Sequence, residues 1–245
     1  MNLLIDAGNT RIKWALTDGE RWLHSGTLAV GQSNELEQIF PGSLGKFRVD
    51  SQNTQIWVSN VAGEEVAQHI RNIGIGPQPE FILARKAQCG VRNGYSSAAQ
   101  LGSDRWAALI AAWHLVRGEC LVVCCGTATT IDTLSTQGEF LGGLILPGVD
   151  LMQSSLCNAT AQLKPAQGKY TQLPSNTADA LLSGAIQASC GAIERQHALL
   201  GNSGASVLLG GGAAAQLQEF LNLPSQMVDN LVLQGLLLIA QEAGA

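Results

Sequence analysis

The stretch LLIDAGNTRIKWAL, from Leu3 to Leu16, contains the pattern that decides the fold. A short apolar run ends at the polar, turn-forming residues 6–10, and apolar positions resume at Ile12. Two apolar runs separated by a turn-rich loop are typical of a β-hairpin. The sequence therefore predicts that the chain begins with a hairpin that is closed by a polar loop.

The same unit recurs in the second half of the chain. Residues 120–125 form an apolar run, residues 126–130 (GTATT) a turn of small residues, and residues 131–134 a second run. This is one supersecondary unit used twice, since no short period repeats along the chain. We therefore predict two α/β halves with a boundary near Gly118, comprising residues 1–117 and residues 118–245.

Composition narrows the class of protein. The 245 residues are 46% hydrophobic and 13% charged, with a net charge of −5, which excludes a disordered chain. No basic stripe is present to bind a phosphate backbone, so nucleic acid and anionic membranes are not expected as partners. The N-terminus lacks a basic leader, and the six cysteines show no paired C-x-x-C spacing, so we expect a cytoplasmic protein with reduced thiols.

The first polar loop has the residue types of a phosphate site. Asp6, at the end of a strand, can hold a hydrated Mg²⁺ ion. Gly8 lets the backbone approach a phosphate, Asn9 and Thr10 offer donors, and Lys13 can reach a phosphate as a point charge. An ordinary hairpin turn would contain the same glycine and asparagine, so this loop alone leaves both interpretations open.

The second turn, residues 126–130, is open to the same two interpretations. Two such turns, each after the first strand of its half, are more informative than one. They favour a polyphosphate that is held from both sides of a cleft.

A third segment, Gly102–Arg105, precedes a run from Asp104 to Val116 that is apolar on nearly every helical face and predicts a buried helix. Ser103 or Asp104 at this position is also what simple helix capping requires. A phosphoryl acceptor site would use the same residues differently. Asp104 would take the proton of a hydroxyl group, and Arg105 would bind a substrate carboxylate.

The sequence lacks the motifs that mark several other classes of enzyme. The chain has no G-x-x-x-x-G-K-[ST] loop, no G-x-G-x-x-G fingerprint, no G-x-S-x-G elbow and no H-E-x-x-H helix. The sequence thus lacks the simplest support for P-loop, dinucleotide, serine-hydrolase and zinc-protease activities.

Taken together, these motifs resemble the type III pantothenate kinase family, within the superfamily of acetate and sugar kinases, chaperone ATPases and actin. Six segments match in order: D-x-G-N-T-x-x-K at residues 6–13, Y…L-G-x-D-R at Tyr95 and residues 101–105, G-T-A-x-T-x-D at residues 126–132, G-G-x-I-x-P-G at residues 142–148, Asn176–Ala178 with Gly184, and G-G-G-A at residues 210–213.

The resemblance implies two ribonuclease H-like domains, each with a mixed five-stranded sheet flanked by helices. It implies an enzyme that phosphorylates pantothenate with Mg²⁺ and ATP to 4′-phosphopantothenate, the first step of coenzyme A biosynthesis. It also implies a homodimer whose substrate pocket is completed across the interface, for which the helix from Asp104 to Val116 is the candidate surface.

The resemblance also assigns roles to residues. Asp104 is the catalytic proton acceptor, and Asp6 is the candidate for holding Mg²⁺ through water. The expected substrate-binding residues are Tyr95, Gly102, Ser103, Asp104, Arg105 and Thr177. The expected ATP-binding residues are Asp6, Ala7, Gly8, Asn9, Thr10, Arg11, Ile12, Lys13 and Thr127.

One position departs from the family pattern. Members of the family often have an aspartate two residues before the G-T pair, where it binds a monovalent cation such as K⁺ or NH₄⁺. Cys124 occupies that position here, and a neutral thiol is a poor ligand for a hard cation. We therefore expect activation by K⁺ to be weaker, or to use other ligands.

Two alternatives remain beside the leading hypothesis. One is a kinase of the same superfamily that acts on another small hydroxy acid. The other is a non-catalytic regulator that retains the fold, as has been proposed for accessory transcription factors related to this family. A regulator could lose Asp104 or Arg105, yet the chain has both.

Overall fold

A computed structural model describes residues 1–40, 53–160, 163 and 166–244. The chain forms two compact units. The first unit contains Met1–Leu115 together with Leu231–Ala245, and the second contains Val116–Asn230. The predicted boundary near Gly118 assigns the C-terminal segment, from Leu231 onward, to the second half. In the structure this segment belongs to the first unit, because it packs on the first sheet.

The strands are short and occur in two groups along the chain. They are β1 (Asn2–Ala7), β2 (Arg11–Asp18), β3 (Arg21–Ala29), β4 (Gln55–Asn60), β5 (Glu80–Phe81), β6 (Ala87–Gln88), β7 (Val91–Asn93), β8 (Cys120–Cys125), β9 (Ala128–Leu134), β10 (Glu139–Pro147), β11 (Ser206–Gly210) and β12 (Ser225–Met227).

The helices that can be bounded within the described residues are α1 (Glu64–Arg71), α2 (Ser103–Val116), α3 (Val149–Ala159), α4 (Thr177–Ala198), α5 (Ala214–Gln218) and α6 (Leu231–Gly244). Short 3₁₀ helices cover Val30–Glu35 and Ala98–Gln100. No helix among the described residues is both long enough and apolar enough to cross a membrane.

The sheet of the first unit has the order β3-β2-β1-β4-β5. The β1–β2 and β2–β3 pairs are antiparallel, whereas β1–β4 and β4–β5 are parallel. Both β1 and β4 contain a continuous apolar run. Alternate residues of each run lie on one face of the sheet, where they pack against α1 in a continuous core. The hairpin predicted at the N-terminus is β1–β2.

Five strands of the second unit repeat this arrangement. Their order is β12-β11-β8-β9-β10, with β8–β9 and β9–β10 antiparallel and β8–β11 and β11–β12 parallel. In each unit the first strand is therefore central, between a hairpin partner and a parallel strand that comes later in the chain. This confirms the prediction of two α/β halves built on mixed sheets. The first sheet has the five strands that were predicted, whereas the second has seven, because the short strands β7 and β6 extend it.

Helix α6 closes the first unit by packing against β1 and β4. A β-carbon at Gly235 would overlap the backbone carbonyl of Ala107, so α6 and α2 cross too closely for any residue but glycine at this position. Helix α6 therefore packs closely against both the sheet and helix α2 of the first unit.

Helix α2 is buried, as its apolar composition predicted. Trp106 to Ala112 are at most 1% exposed within the single chain. The expectation that this helix forms the surface of a dimer is therefore wrong for its first three turns, because they already pack inside the chain. Leu115, in its last turn, is 49% exposed.

Candidate functional site

The loop between β1 and β2 is a tight polar turn. The backbone N–H of Gly8 donates to the carbonyl of Arg11 at 3.1 Å, and a β-carbon at Gly8 would lie 3.2 Å from that carbonyl oxygen. Asn9 and Thr10 are exposed at its tip. The predicted phosphate loop therefore presents its donors to solvent from a rigid base.

A row of polar residues crosses the sheet beside this loop. Asp6 on β1 is in register with Lys13 on β2 and with Ser59 on β4. Residues in register on neighbouring strands point to the same face. The predicted Asp6 and Lys13 therefore lie side by side, and Ser59 extends the row.

The electrostatic environment of Asp6 is unfavourable to its charge. Burial, followed by the negative charge of Asp104, raises the pKa of Asp6 to about 7, and Lys13 opposes this shift. Two carboxylates that repel each other in a poorly solvated place favour a cation between or beside them. The effect also shows that Asp6 and Asp104 lie close enough in the folded first unit to interact.

The donor set around Asp6 fits Mg²⁺ bound through the nucleotide. Within the described residues there is no group of three His, Cys, Asp or Glu side chains that could hold a metal by itself. Magnesium ions are usually held by one or two carboxylates together with waters and substrate phosphates. Asp6 can supply the carboxylate part of such a site.

Asp104 is held at the start of α2 by its immediate neighbours. Its Oδ1 accepts a hydrogen bond from the backbone N–H of Arg105 at 2.8 Å. A β-carbon at Gly102 would lie 2.6 Å from the same oxygen. Glycine is therefore needed at position 102 to leave room for the carboxylate in this position.

Arg105 and Tyr95 form a second cluster in the first unit. The Arg105 side chain is buried and donates from Nη1 to the Tyr95 hydroxyl at 3.1 Å. The guanidinium also lies 5.7 Å from the centre of the Tyr95 ring. Asn93 fixes the intervening loop, because its Oδ1 accepts from Tyr95 N and its Nδ2 donates to the Ala98 carbonyl.

In the second unit, three glycine-containing loops meet around the end of β8. Gly148 N donates to the Thr127 carbonyl at 2.8 Å, and Ala213 N donates to the Cys125 carbonyl at 3.2 Å. A β-carbon at Gly148 or Gly211 would overlap the backbone of residues 125–127. Thr127 is exposed at this junction, so the predicted second phosphate loop is an open cradle built from backbone.

Thr177 is the first residue of α4 and is exposed. Asn176 caps this helix by accepting from Asp179 N at 3.0 Å, and the Asp179 carboxylate accepts from Lys169 N at 2.7 Å. The Lys169 N–H, followed by Asn176, holds the pKa of Asp179 below its ordinary range. These contacts fix the position of Thr177 within the second unit.

The predicted site residues thus fall into two groups. Asp6, Lys13 and Asp104 come together in the first unit with Arg105 and Tyr95 nearby. Thr127 and Thr177 belong to the second unit.

Sequence reasoning missed Ser59. The signal that could have found it is a serine at the end of the apolar strand IWVS, directly before a turn.

Solved structures that are described as sugar kinases share this fold of two α/β units. A structure described as a 2-dehydro-3-deoxygalactonokinase from Sinorhizobium meliloti shares this fold, with a TM-score of 0.56, 16% identity and 99% of each chain covered. A structure described as a Baf family transcriptional activator from Campylobacter jejuni gives a TM-score of 0.62 at 24% identity, covering 99% of this chain and 98% of that one.

Sequence comparison is more specific. The type III pantothenate kinase family matches residues 2–198. A type III pantothenate kinase from Aromatoleum aromaticum is 49% identical over 248 aligned positions that cover 100% of both chains. The chain belongs to the type III pantothenate kinase family.

Proposed function

We propose that this enzyme transfers the γ-phosphoryl group of ATP to the primary hydroxyl of pantothenate, giving 4′-phosphopantothenate and ADP at the start of coenzyme A biosynthesis. The observation that carries the proposal is the position of Asp104, which lies close to Asp6 and directly before the buried Arg105. Membership of the family over the whole chain supplies the substrate class.

Asp104 acts on the acceptor hydroxyl. The hydroxyl oxygen forms a bond to the γ-phosphorus while the bond from that phosphorus to the β,γ-bridging oxygen breaks. The proton of the hydroxyl passes to the Asp104 carboxylate and then to solvent. Phosphoryl transfer has a loose transition state that depends mainly on positioning. The backbone N–H of Arg105 holds this carboxylate in place, in space that is left free because Gly102 has no side chain.

The residues from Asp6 to Lys13, together with Thr127, bind ATP in this proposal. Backbone donors in the β1–β2 turn contact phosphate oxygens, and Lys13 neutralises part of their charge. Asp6 would hold Mg²⁺ through water, and the ion would supply further positive charge to the phosphates.

The remaining assigned residues bind pantothenate. Arg105 offers a planar guanidinium for the substrate carboxylate, and its contact with Tyr95 fixes the plane in which it is presented. Gly102, Ser103 and Thr177 complete the set. A kinase for a different hydroxy acid would need the same anion contact, so substrate profiling separates the two cases.

The monovalent cation dependence follows from Cys124. This residue lies opposite Thr130 on β9, and a thiol is a poor ligand for K⁺ or NH₄⁺. We propose that the enzyme depends less on K⁺ than relatives with an aspartate at this position.

A homodimer in the cytoplasm completes the proposal. Apolar side chains on β10 and α3 are at least 41% exposed in the single chain and are candidates for the surface between copies: Leu141, Leu144, Ile145, Leu151 and Leu156. None of the six cysteines, all within the described residues, is part of a disulfide.

A regulator without catalysis is the competing function. The Campylobacter jejuni structure is described as that of a transcriptional activator, but similarity at this level shows a shared fold alone. The retained Asp104 and Arg105 favour the kinase.

The decisive test is a coupled assay of ADP release with ATP and pantothenate, using the wild type and Asp104→Asn. General-base catalysis contributes about 100- to 10,000-fold, so we expect kcat to fall by that factor while ATP still binds. Asp18→Asn, at an exposed carboxylate on the same sheet, should keep the wild-type rate. A near-normal kcat for Asp104→Asn would remove Asp104 from its role, and an inactive wild type would remove the proposed reaction.

A further inference from the structure

The third member of the polar row, Ser59, is not explained by any assigned role. It ends the apolar part of β4 in register with Asp6 and is fully buried. A hydroxyl group in such a place must find a hydrogen-bond partner. Its partner is Ser103, with 3.0 Å between the two Oγ atoms.

The partner of Ser59 is the first residue of α2 and is itself only 8% exposed. Asp104 follows Ser103 directly. The hydroxyl pair therefore connects the end of β4, next to the Asp6 strand, to the first turn of the helix that carries Asp104. Both hydroxyls lie inside the first unit, where an alternative partner from solvent is largely excluded.

We infer that Ser59 is a positioning residue, which fixes the first turn of α2 through Ser103 and thereby sets where the Asp104 carboxylate lies relative to Asp6. The inference rests on the proposed role of Asp104. Ser59 contacts neither substrate in this account and acts only through Ser103. Gly102 and the Arg105 N–H set the orientation of the carboxylate, and Ser59 sets the placement of the helix start.

A purely structural role would give Ser59 a different signature. Thr17 provides the matched control, because it is also a fully buried hydroxyl on the same sheet and donates to the Asn2 carbonyl at 3.5 Å. Thr17 lies on β2 and pairs with Asn2, which is at the opposite end of β1 from Asp6. Thr17→Val should lower stability without changing the kinetic constants.

The experiment measures kcat, both KM values and urea unfolding for Ser59→Ala, Ser103→Ala, the double variant and Thr17→Val. A typical hydrogen bond contributes enough to change a rate about three- to tenfold, so we expect kcat of Ser59→Ala to fall by that factor. The KM for ATP should stay within about twofold of the wild-type value, because these changes do not alter how ATP is bound before the reaction. In kcat, the double variant should lose no more than the larger single effect, since both changes remove the same hydrogen bond between Ser59 and Ser103. Ser103→Ala should in addition raise the KM for pantothenate, because Ser103 belongs to the proposed substrate-binding set.

Ser59→Cys is also measured, in case Ser59→Ala does not fold. It keeps nearly the same shape but forms a weaker hydrogen bond, so its kcat should lie between those of the wild type and Ser59→Ala. The inference is overturned if Ser59 variants keep the wild-type kcat and lose only stability, as Thr17→Val does. That result differs from a wild type with no pantothenate kinase activity, which would instead overturn the proposed function.

Discussion

Replacing Asp6 by asparagine should stabilise the protein in the absence of nucleotide while impairing its activity. The pKa of this carboxyl is raised from 3.8 to about 7, first by burial and then by the charge of Asp104. The folded protein therefore binds a proton that the unfolded chain has already released between these pH values. Its stability falls as the pH rises from about 4 to about 7. Asparagine removes this dependence because it carries no charge.

The size of the effect follows from the same values. The change in pKa from 3.8 to about 7 corresponds to at most about 4 kcal/mol at pH 8. Asp6 is partly exposed, so solvent screening reduces this to an expected gain of about 1–2 kcal/mol. The gain should nearly vanish close to pH 4, where Asp6 is protonated in both the folded and the unfolded states.

Urea unfolding followed by tryptophan fluorescence suits this measurement, since all five tryptophans lie within residues 14–113 and report on the first unit. The wild type, Asp6→Asn and the exposed control Asp18→Asn are compared at pH 5 and pH 8 without Mg²⁺ or ATP. Saturating Mg²⁺ and ATP should reduce the advantage of Asp6→Asn. An advantage that is equal at both pH values, or a destabilised Asp6→Asn at pH 8, would refute the electrostatic reasoning.

Two further predictions concern Gly102 and Cys124. In Gly102→Ala, the new β-carbon would lie 2.6 Å from Asp104 Oδ1, where ordinary contacts begin at 3.4 Å. The Asp104 carboxylate must move, so kcat in the ADP-release assay should fall roughly 100-fold. The control Gly31→Ala, whose β-carbon meets nothing within 4 Å, should keep the wild-type kcat. A Gly102→Ala variant with near-normal kcat would contradict the proposed positioning of Asp104. Cys124→Asp should strengthen activation by K⁺ or NH₄⁺ over Na⁺ because it adds a hard oxygen ligand, and rates that are equal in the three salts for both proteins would count against a cation site at this position.

Much of the fold was readable from local pattern. The hairpin that encloses residues 6–10 and its recurrence at residues 126–130 were predicted because a turn-forming stretch between apolar runs determines local structure. The buried character of α2 followed from its lack of a polar face. The segment from Gly90 to Ala99 has no regular apolar pattern, which predicts a loop. In the structure, Val91–Asn93 within this segment forms strand β7. A strand of three residues carries too little pattern to be detected.

The candidate site was only partly readable in the same way. Asp6, Lys13, Asp104 and Arg105 stand in recognisable motifs, so their chemistry could be proposed residue by residue. Ser59 could not be assigned, because its role depends on a partner 44 positions away along the chain. The surface for a second copy was wrongly assigned to the first three turns of α2 for a related reason, since an apolar helix can be buried by its own chain or by another.

The order of residues by itself determined the two hairpins, their polar loops and the family to which the chain belongs, because each depends on neighbours along the backbone. The tertiary structure alone decided that the closing helix joins the first sheet, that Ser59 meets Ser103, and that Asp6 and Asp104 come close enough to perturb each other. Those contacts depend on burial and on distances between segments far apart in the chain. Neither the loss of hydration nor the repulsion of two carboxylates exists until the chain is folded.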